Sequence, residues 1–310
     1  VGTFMREWLS LYDSKSGERG IYNGMSAKKT VEQLNERYKD EDGKFITRRI
    51  AREDFGTNPC SEIILRSREF CNLSECVVRR EDTRESLKEK VRTAAILGTF
   101  QSTLTNFRYL SREWKKNCDE ERLLGVSLTG IMDSPLTNGS KKGLDKLLEE
   151  LRTVAYETNK EWADKLGIPV SAAITCVKPS GTVSQLVDSA SGIHARHNPY
   201  YIRTVRADNK DPLCKLMKNM GFPNEVDVTK PEHTTVFSFP MKTPKGAVCR
   251  MDMTALEQLE LWKVYAESWC EHKPSVTISV KEDEWVEVAA WVYDHFDSIS
   301  GISFLPFSEH

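Results

Sequence analysis

Apolar positions along the chain follow two rhythms, and each predicts its own kind of element. Phe4, Trp8, Leu9 and Tyr12 recur at helical spacing until Ser14-Lys15-Ser16-Gly17 interrupts them, which predicts a short amphipathic helix. Gly20-Ile21-Tyr22-Asn23-Gly24 reads as a turn or loop, and Asp40 to Gly43 as a solvated break. Asp82-Thr83-Arg84-Glu85 has the character of a capping box, and Leu87, Val91, Ala94 and Ala95 then fall on one helical face. A further helix is expected through Leu144, Leu148, Leu151, Ala155 and Trp162, with Gly167 and Pro169 as its stop signals. Beyond it the period shortens. Ala172 to Val177, Thr235 to Phe239, Ser275 to Val280 and Ile302 to Leu305 read as strands, while Ala255 to Cys270 and Glu284 to Phe296 read as helices. Strands alternating with helices from residue 140 onwards favour an α/β fold.

Two stretches do not reduce to core patterning. The first is Thr57-Asn58-Pro59-Cys60-Ser61-Glu62, followed by Phe70-Cys71-Asn72-Leu73-Ser74-Glu75. Pro59 biases Asn58 towards extended backbone and removes a ladder donor, so a loop is expected. If that loop is locally extended, Asn58, Cys60 and Glu62 project to one side, because extended chain alternates faces. An amide, a thiol and a carboxylate would then share a face, with Ile63-Ile64-Leu65 able to bury the loop and Glu62 a candidate for acid–base work. The plainer reading makes Cys60 and Cys71 ordinary core cysteines.

The second stretch runs Ala172 to Val177, then Lys178-Pro179-Ser180-Gly181-Thr182, then Val183-Ser184-Gln185-Leu186. It reads as strand, tight turn and helix start, a geometry that suits phosphate. It is not a Walker A loop, because the Gly-Lys-Ser/Thr ending is missing. The plainer reading has Ser180 or Thr182 as a helix cap. The polar and aromatic run from Ser189 to Arg206 receives no role.

Composition narrows the classes. At 310 residues and 39% hydrophobic content the chain can bury a large core, as two domains or as one α/β barrel. A net charge of −2 offers no basic field for nucleic acid or an anionic membrane. There is no apolar run long enough to span a bilayer and no N-terminal signal peptide. Eight cysteines, at 60, 71, 76, 118, 176, 214, 249 and 270, form no CxxC pair, so no metal site is expected. Reduced thiols in a cytoplasmic protein are the default. The missing initiator Met and the abrupt Ser308-Glu309-His310 suggest a piece of a longer chain.

Through both stretches the chain resembles the adenosylcobalamin-dependent (class II) ribonucleotide reductases, in particular the monomeric ribonucleoside-triphosphate reductases. The likeness lies in Asn58-Pro59-Cys60-Ser61-Glu62-Ile63, Phe70-Cys71-Asn72-Leu73-Ser74-Glu75 and Lys178-Pro179-Ser180-Gly181-Thr182-Val183-Ser184. It continues in Ser191-Gly192-Ile193-His194, Pro199-Tyr200-Tyr201-Ile202-Arg203, Pro274-Ser275-Val276-Thr277 and Ser300-Gly301-Ile302-Ser303-Phe304-Leu305-Pro306, with Ser14-Lys15-Ser16-Gly17-Glu18-Arg19-Gly20-Ile21 near the start. These blocks are collinear.

The resemblance implies part of a ten-stranded α/β barrel with the catalytic cysteine on a central finger loop. Residues 1–310 would be its central and C-terminal part, without the N-terminal part and the C-terminal tail. It implies that Cys60 is the thiyl-radical cysteine, Glu62 the base on the ribose 3′ hydroxyl, Asn58 a substrate hydrogen-bonding group and Cys71 one of two reducing thiols. Pro179, Ser180, Gly181, Thr182, Val183 and Ser184 would bind substrate phosphates. Adenosylcobalamin would be the cofactor, a ribonucleotide (triphosphate or diphosphate) the substrate and a thioredoxin-like protein the reductant.

Departures qualify that picture. No cysteine precedes position 60, where the family has its other reducing thiol, and the C-terminal shuttle pair is absent. Ser61 stands where the family often has glycine. The chain is therefore expected not to turn over by itself, and its complement would be lost or supplied as a separate N-terminal reductase fragment. The competing reading is a nucleotide phosphate-binding or regulatory fragment that keeps the fold without the chemistry.

Overall fold

The computed structural model describes residues 1–17, 19–52 and 54–308. Glu18, within one resembling block, lies outside the described residues, as do Glu309 and His310 of the abrupt end. The chain opens with helix α1 (Gly2–Ser14), strand β1 (Gly20–Tyr22) and helix α2 (Gly24–Asn35). Strands β2 (Gly56–Thr57), β3 (Ile64–Leu65) and β4 (Asn72–Val77) follow, then helices α3 (Arg84–Gln101) and α4 (Arg112–Glu121) and strand β5 (Leu124–Thr129). Helix α5 (Leu144–Leu166) leads to strand β6 (Thr175–Cys176) and the single turn of helix α6 (Val183–Leu186). Next come strand β7 (Tyr200–Asp208), helix α7 (Pro212–Asn219), and strands β8 (Asn224–Val226) and β9 (Thr234–Lys242). The last elements are helix α8 (Ala255–Ser268), strand β10 (Thr277–Val280), helix α9 (Trp285–Asp294) and strand β11 (Gly301–Pro306).

Two small sheets carry the framework. β4, β5 and β6 are parallel in that order, and β10 runs parallel to β11, with β1 antiparallel on its other side. A parallel bridge between Val177 and Pro274 links β6 to the segment leading into β10. The result is an α/β arrangement in which five parallel strands follow one another. Among the described residues these sheets do not close into a barrel.

Local chemistry explains most boundaries. In α3 the cap is Thr83, whose hydroxyl accepts from the Ser86 amide while the Ser86 hydroxyl accepts from the Thr83 amide. The box therefore pairs Thr83 with Ser86, one position along from the expected Asp82 and Glu85. α5 stops at Gly167, which takes φ 65° as a left-handed C-cap. Gly20 to Gly24, expected as a loop, forms β1 and the start of α2. Here glycine serves close packing, since a Cβ on Gly20 would lie 2.6 Å from the Ile302 carbonyl oxygen. The expected alternation after residue 140 is interrupted by the antiparallel β7–β9–β8 ribbon, an exposed excursion between β6 and α8.

The main core fills the space between the sheets and α3, α5, α8 and α9, and includes Val91, Val126, Leu148, Trp262 and Val292. α8 is also pinned by polar bonds from its large aromatic residues. Trp262 Nε1 donates to the Pro274 carbonyl at 2.9 Å, and Trp269 Nε1 donates to the Cys176 carbonyl at 2.7 Å. The segment between α8 and β10 is thus fixed against β6.

Candidate active site

Cys60 sits in the turn of a small β-hairpin. β2 and β3 pair antiparallel, with Gly56 opposite Leu65 and Thr57 opposite Ile64. The Ser61 amide donates to the Asn58 carbonyl at 2.9 Å, and the Asn58 side-chain oxygen accepts from the Ile63 amide at 3.0 Å. Ile63 and Ile64 are fully buried in two different apolar clusters, so the returning leg of the hairpin is anchored on both its faces. The expected common face for Asn58, Cys60 and Glu62 does not form. Ser61 takes φ 68°, which breaks the extended alternation. Cys60 is left exposed and Glu62 fully buried.

Glu62 is unusual chemically. Among the described residues neither of its carboxylate oxygens has a hydrogen-bond partner, although the side chain is 0% exposed. Leaving a buried polar group unsatisfied costs about 1–3 kcal/mol, more for a charged one, so such an arrangement wants a reason. A substrate hydroxyl reaching this carboxylate would supply the missing donor.

The backbone and side chains of residues 272–275 hold the turn from the other side. The His272 Nδ1 accepts from the Ile64 amide at 3.3 Å while Nε2 faces the Leu124 carbonyl at 2.9 Å. Burial, with Arg49 nearby, lowers the His272 pKa to about 3, so the ring is neutral and Nε2 carries the proton. The Lys273 amide donates to the Glu62 carbonyl at 3.2 Å, and the Ser275 hydroxyl donates to the Cys60 carbonyl at 2.6 Å. Sequence reasoning gave none of these residues a role. The available hints were the resembling block Pro274-Ser275-Val276-Thr277 and the charged Glu271-His272-Lys273 run leading into it, odd for a segment between two buried elements.

Cys71 directly precedes β4 and packs with Leu73 and Ile63 against Gly125 of β5. A Cβ on Gly125 would come within 3.1 Å of the Cys71 sulfur, so glycine makes the room for this thiol. Burial, then the negative charges of Glu62 and Glu69, push the Cys71 pKa well above the usual thiol range and keep it protonated. All eight cysteines are free. Cys176 shares an apolar cluster with Cys71, but strand register sets it level with Ser127 and Glu75 rather than with Cys71.

The Pro179–Ser184 stretch forms a tight turn leading into α6. Ser180 is buried with φ 51° and its hydroxyl donates to Glu75 Oε2 at 2.9 Å, across from β4. Thr182 occupies the N-cap position without a side-chain cap bond, so neither hydroxyl caps the helix as the plainer reading expected. Gly181, Thr182 and Val183 are exposed, while Ser184 is buried with its hydroxyl on the Gly181 carbonyl. Ser191 and Gly192 support the turn from below. The Ser191 hydroxyl donates to the Pro179 carbonyl, and a Cβ on Gly192 would lie 2.3 Å from the Lys178 carbonyl.

A cleft of about 550 Å³ joins these parts, a size suited to a small-molecule ligand. Cys60 and Ser61 line it from the hairpin, Pro179 from the phosphate-type turn, Ser275 and Thr277 from the approach to β10, and Gly301 from β11. Asn58, Glu62 and Cys71 are not among the residues that line it.

Comparison with known proteins agrees with the sequence resemblance. The chain is 29% identical over 252 residues to the adenosylcobalamin-dependent ribonucleoside-triphosphate reductase of Euglena gracilis, covering 81% of this chain and 34% of the relative. A Lactobacillus gasseri protein of the same name is 27% identical, covering 81% and 37%. A Dictyostelium discoideum protein named as a probable reductase of this kind is 31% identical, covering 82% and 33%. A crystal structure of a B12-dependent (class II) ribonucleotide reductase superposes with a TM-score of 0.74 at 25% identity, over 87% of this chain and 41% of that one. The chain is similar to one segment of the class II ribonucleotide reductases. It spans about a third of the length of the curated reductases it matches. The alpha subunit of an Actinobacillus ureae class Id ribonucleotide reductase, at 14% identity and TM-score 0.64, shares the fold over 98% of this chain and 61% of its own. No family model matches the chain.

Proposed function

We propose that this chain is the part of an adenosylcobalamin-dependent ribonucleotide reductase that carries the radical cysteine, reducing ribonucleoside triphosphates, or diphosphates, for DNA synthesis. The observation that carries this reading is the pairing within one turn of an exposed thiol, Cys60, with a fully buried carboxylate, Glu62, that has no partner among the described residues. Residues 1–310 would form the central and C-terminal part of a ten-stranded barrel. The run of parallel strands β4-β5-β6 and β10-β11 supports that placement, with the remaining strands in chain outside this sequence.

The residues divide the work as follows. A thiyl radical at Cys60 takes the hydrogen atom from ribose C3′, leaving a thiol and a substrate radical. The Glu62 carboxylate takes the 3′ hydroxyl proton. The 2′ hydroxyl leaves as water, with its proton from the protonated Cys71 thiol. Cys71 and a second thiol close to a disulfide, which delivers two electrons and the second thiol's hydrogen to C2′; Glu62 returns its proton to the 3′ oxygen, and Cys60 returns its hydrogen atom to C3′. The product is a 2′-deoxyribonucleotide. Asn58, whose side-chain oxygen is committed to Ile63, has its amide hydrogens left for a substrate hydroxyl. Pro179 to Ser184 would hold the phosphates at the far end of the cleft. Adenosylcobalamin, when bound, supplies radical initiation, and the exposure of Cys60 suits a thiol that a separate group must reach. The second thiol and most of the cofactor surface would come from the missing segments, with a thioredoxin-like dithiol as reductant and the cytoplasm as the setting.

The alternative is a nucleotide phosphate-binding or regulatory fragment that keeps the fold without turnover. One assay separates the two. The complete enzyme containing this chain, given adenosylcobalamin, ribonucleotide and dithiol, is expected to form deoxyribonucleotide, and Cys60→Ala to abolish it. Undiminished turnover in Cys60→Ala would overturn the radical assignment, and binding without turnover would leave the fragment reading.

A further inference from the structure

Lys273 is 2% exposed, a rare placement for lysine, and the partners of its ammonium are a hydroxyl and a carbonyl rather than a carboxylate. Nζ instead donates to the Ser61 hydroxyl at 3.0 Å and to the Gly301 carbonyl at 3.1 Å. The space it fills exists because residue 301 is glycine. A Cβ there would lie 2.2 Å from Nζ and 2.8 Å from the Ser61 hydroxyl oxygen. Gly301 has no positive φ to explain its identity. A buried cation, a hydroxyl in the cysteine turn and a side-chain-free position on β11 therefore converge on one point.

The Lys273 bonds complete a pattern. Ser275 holds the Cys60 carbonyl, the Lys273 ammonium holds the Ser61 side chain, and the Lys273 amide holds the Glu62 carbonyl. Each member of the triplet is bound by the same short segment, and that segment is fixed by the Trp262 bond to Pro274. Ser61 also needs such help. A left-handed serine is strained by about 1–2 kcal/mol, and the turn persists only if its surroundings over-determine it.

We infer that Lys273 is a positioning residue for the Cys60 turn, its ammonium tying Ser61 to Gly301 so that the thiol is held over the cleft and Glu62 beneath it. The inference deepens the proposed function but does not depend on turnover. Burial lowers the Lys273 pKa to about 7 while Glu62 and Cys270 pull it upward. The ammonium is thus partly neutral at physiological pH, and both forms retain N–H groups to donate to Ser61 and Gly301.

Amide hydrogen exchange on the 310-residue chain tests this without substrate or cofactor. Ser61→Ala and Lys273→Met are each expected to speed exchange at residues 58–64 about tenfold, in keeping with loss of a charge-assisted hydrogen bond. The double variant should exchange no faster than the faster single one. Multiplying effects, or an unchanged rate in Ser61→Ala, would overturn the inference. Should Lys273→Met not fold, Gly301→Ala displaces the ammonium instead and must be non-additive with Ser61→Ala. In the complete reductase, Ser61→Ala should lower kcat while KM holds, whereas a purely structural role would leave kcat per folded molecule unchanged. If no reductase activity exists at all, the exchange cycle still decides the positioning role.

Discussion

Lowering the pH should loosen the hairpin through His272, and the size of the effect follows from its surroundings. The ring is 1% exposed, accepts from the Ile64 amide and donates to the Leu124 carbonyl, so it bridges β3 to β5. Protonating Nδ1 would set a donor against the Ile64 donor, beside Arg49. Its folded pKa is accordingly lowered from 6.5 to about 3. The unfolded chain takes up a proton as pH falls through 6.5, and the folded chain does so only near 3. The stability carried by the neutral ring is therefore complete above 6.5 and is lost progressively down to 3. Two pH units below the unfolded pKa, near pH 4.5, the loss is about 3 kcal/mol. Wild-type unfolding alone would mix this with Glu69, whose carboxyl is raised by burial and by Glu121 and which favours the folded state at low pH. The comparison must therefore be with His272→Gln, which keeps a donor and an acceptor but does not titrate. Urea unfolding of both proteins at pH 7 and near pH 4.5 should show the wild-type advantage shrinking by about 3 kcal/mol. A difference between them that stays flat across that interval would refute the reasoning.

Two substitutions probe the support of the site. Gly125→Ala places a Cβ 2.4 Å from a Leu73 methyl carbon and 3.1 Å from the Cys71 sulfur, so urea unfolding should show a loss of about 1–3 kcal/mol. Alkylation of Cys71 should change rate in the same variant. Gly192→Ala demands a side chain at φ 56° and 2.3 Å from the Lys178 carbonyl, a fixed backbone atom. Thermal unfolding should report a loss of about 3 kcal/mol, and any nucleotide bound at Pro179–Ser184 should bind more weakly.

Periodicity revealed the framework because most helices present one apolar face to a single core. α5 and α8 were legible for that reason, as were β10 and β11. The hairpin was legible only as a loop. Its strands are two residues each, too short for alternation to register, and their partners are set by long-range contacts. The proposed chemistry was suggested by residue type, since Cys60, Glu62 and Cys71 are what a thiol-based reaction would need. Their arrangement was not legible. A positive φ at Ser61 leaves no mark in the sequence, because serine is not the residue that such backbone normally selects. His272 and Lys273 escaped for a different reason: their partners at Ile64 and Ser61 lie 208 and 212 positions away. Of the β7–β9–β8 ribbon only β9 was legible, as the strand Thr235 to Phe239; β7 escaped because its exposed length carries polar and apolar residues on both sides.

The left-handed residue between the thiol and the carboxylate gives the turn its chemical sense. On extended backbone, positions 60 and 62 would share a face and therefore one environment. In the proposed reaction Cys60 must be reachable, whereas Glu62 must be kept from water so that a substrate hydroxyl meets it without competition. Those demands conflict on one face and are met on two. Ser61 turns the chain between them, leaving Cys60 exposed and Glu62 at 0% exposure within three residues. Glycine would make that turn at lower conformational cost, but it would give the Lys273 ammonium nothing to hold. Serine accepts strain in the backbone and recovers it through a side-chain bond to the buried Lys273 ammonium, so the turn is fixed rather than merely permitted.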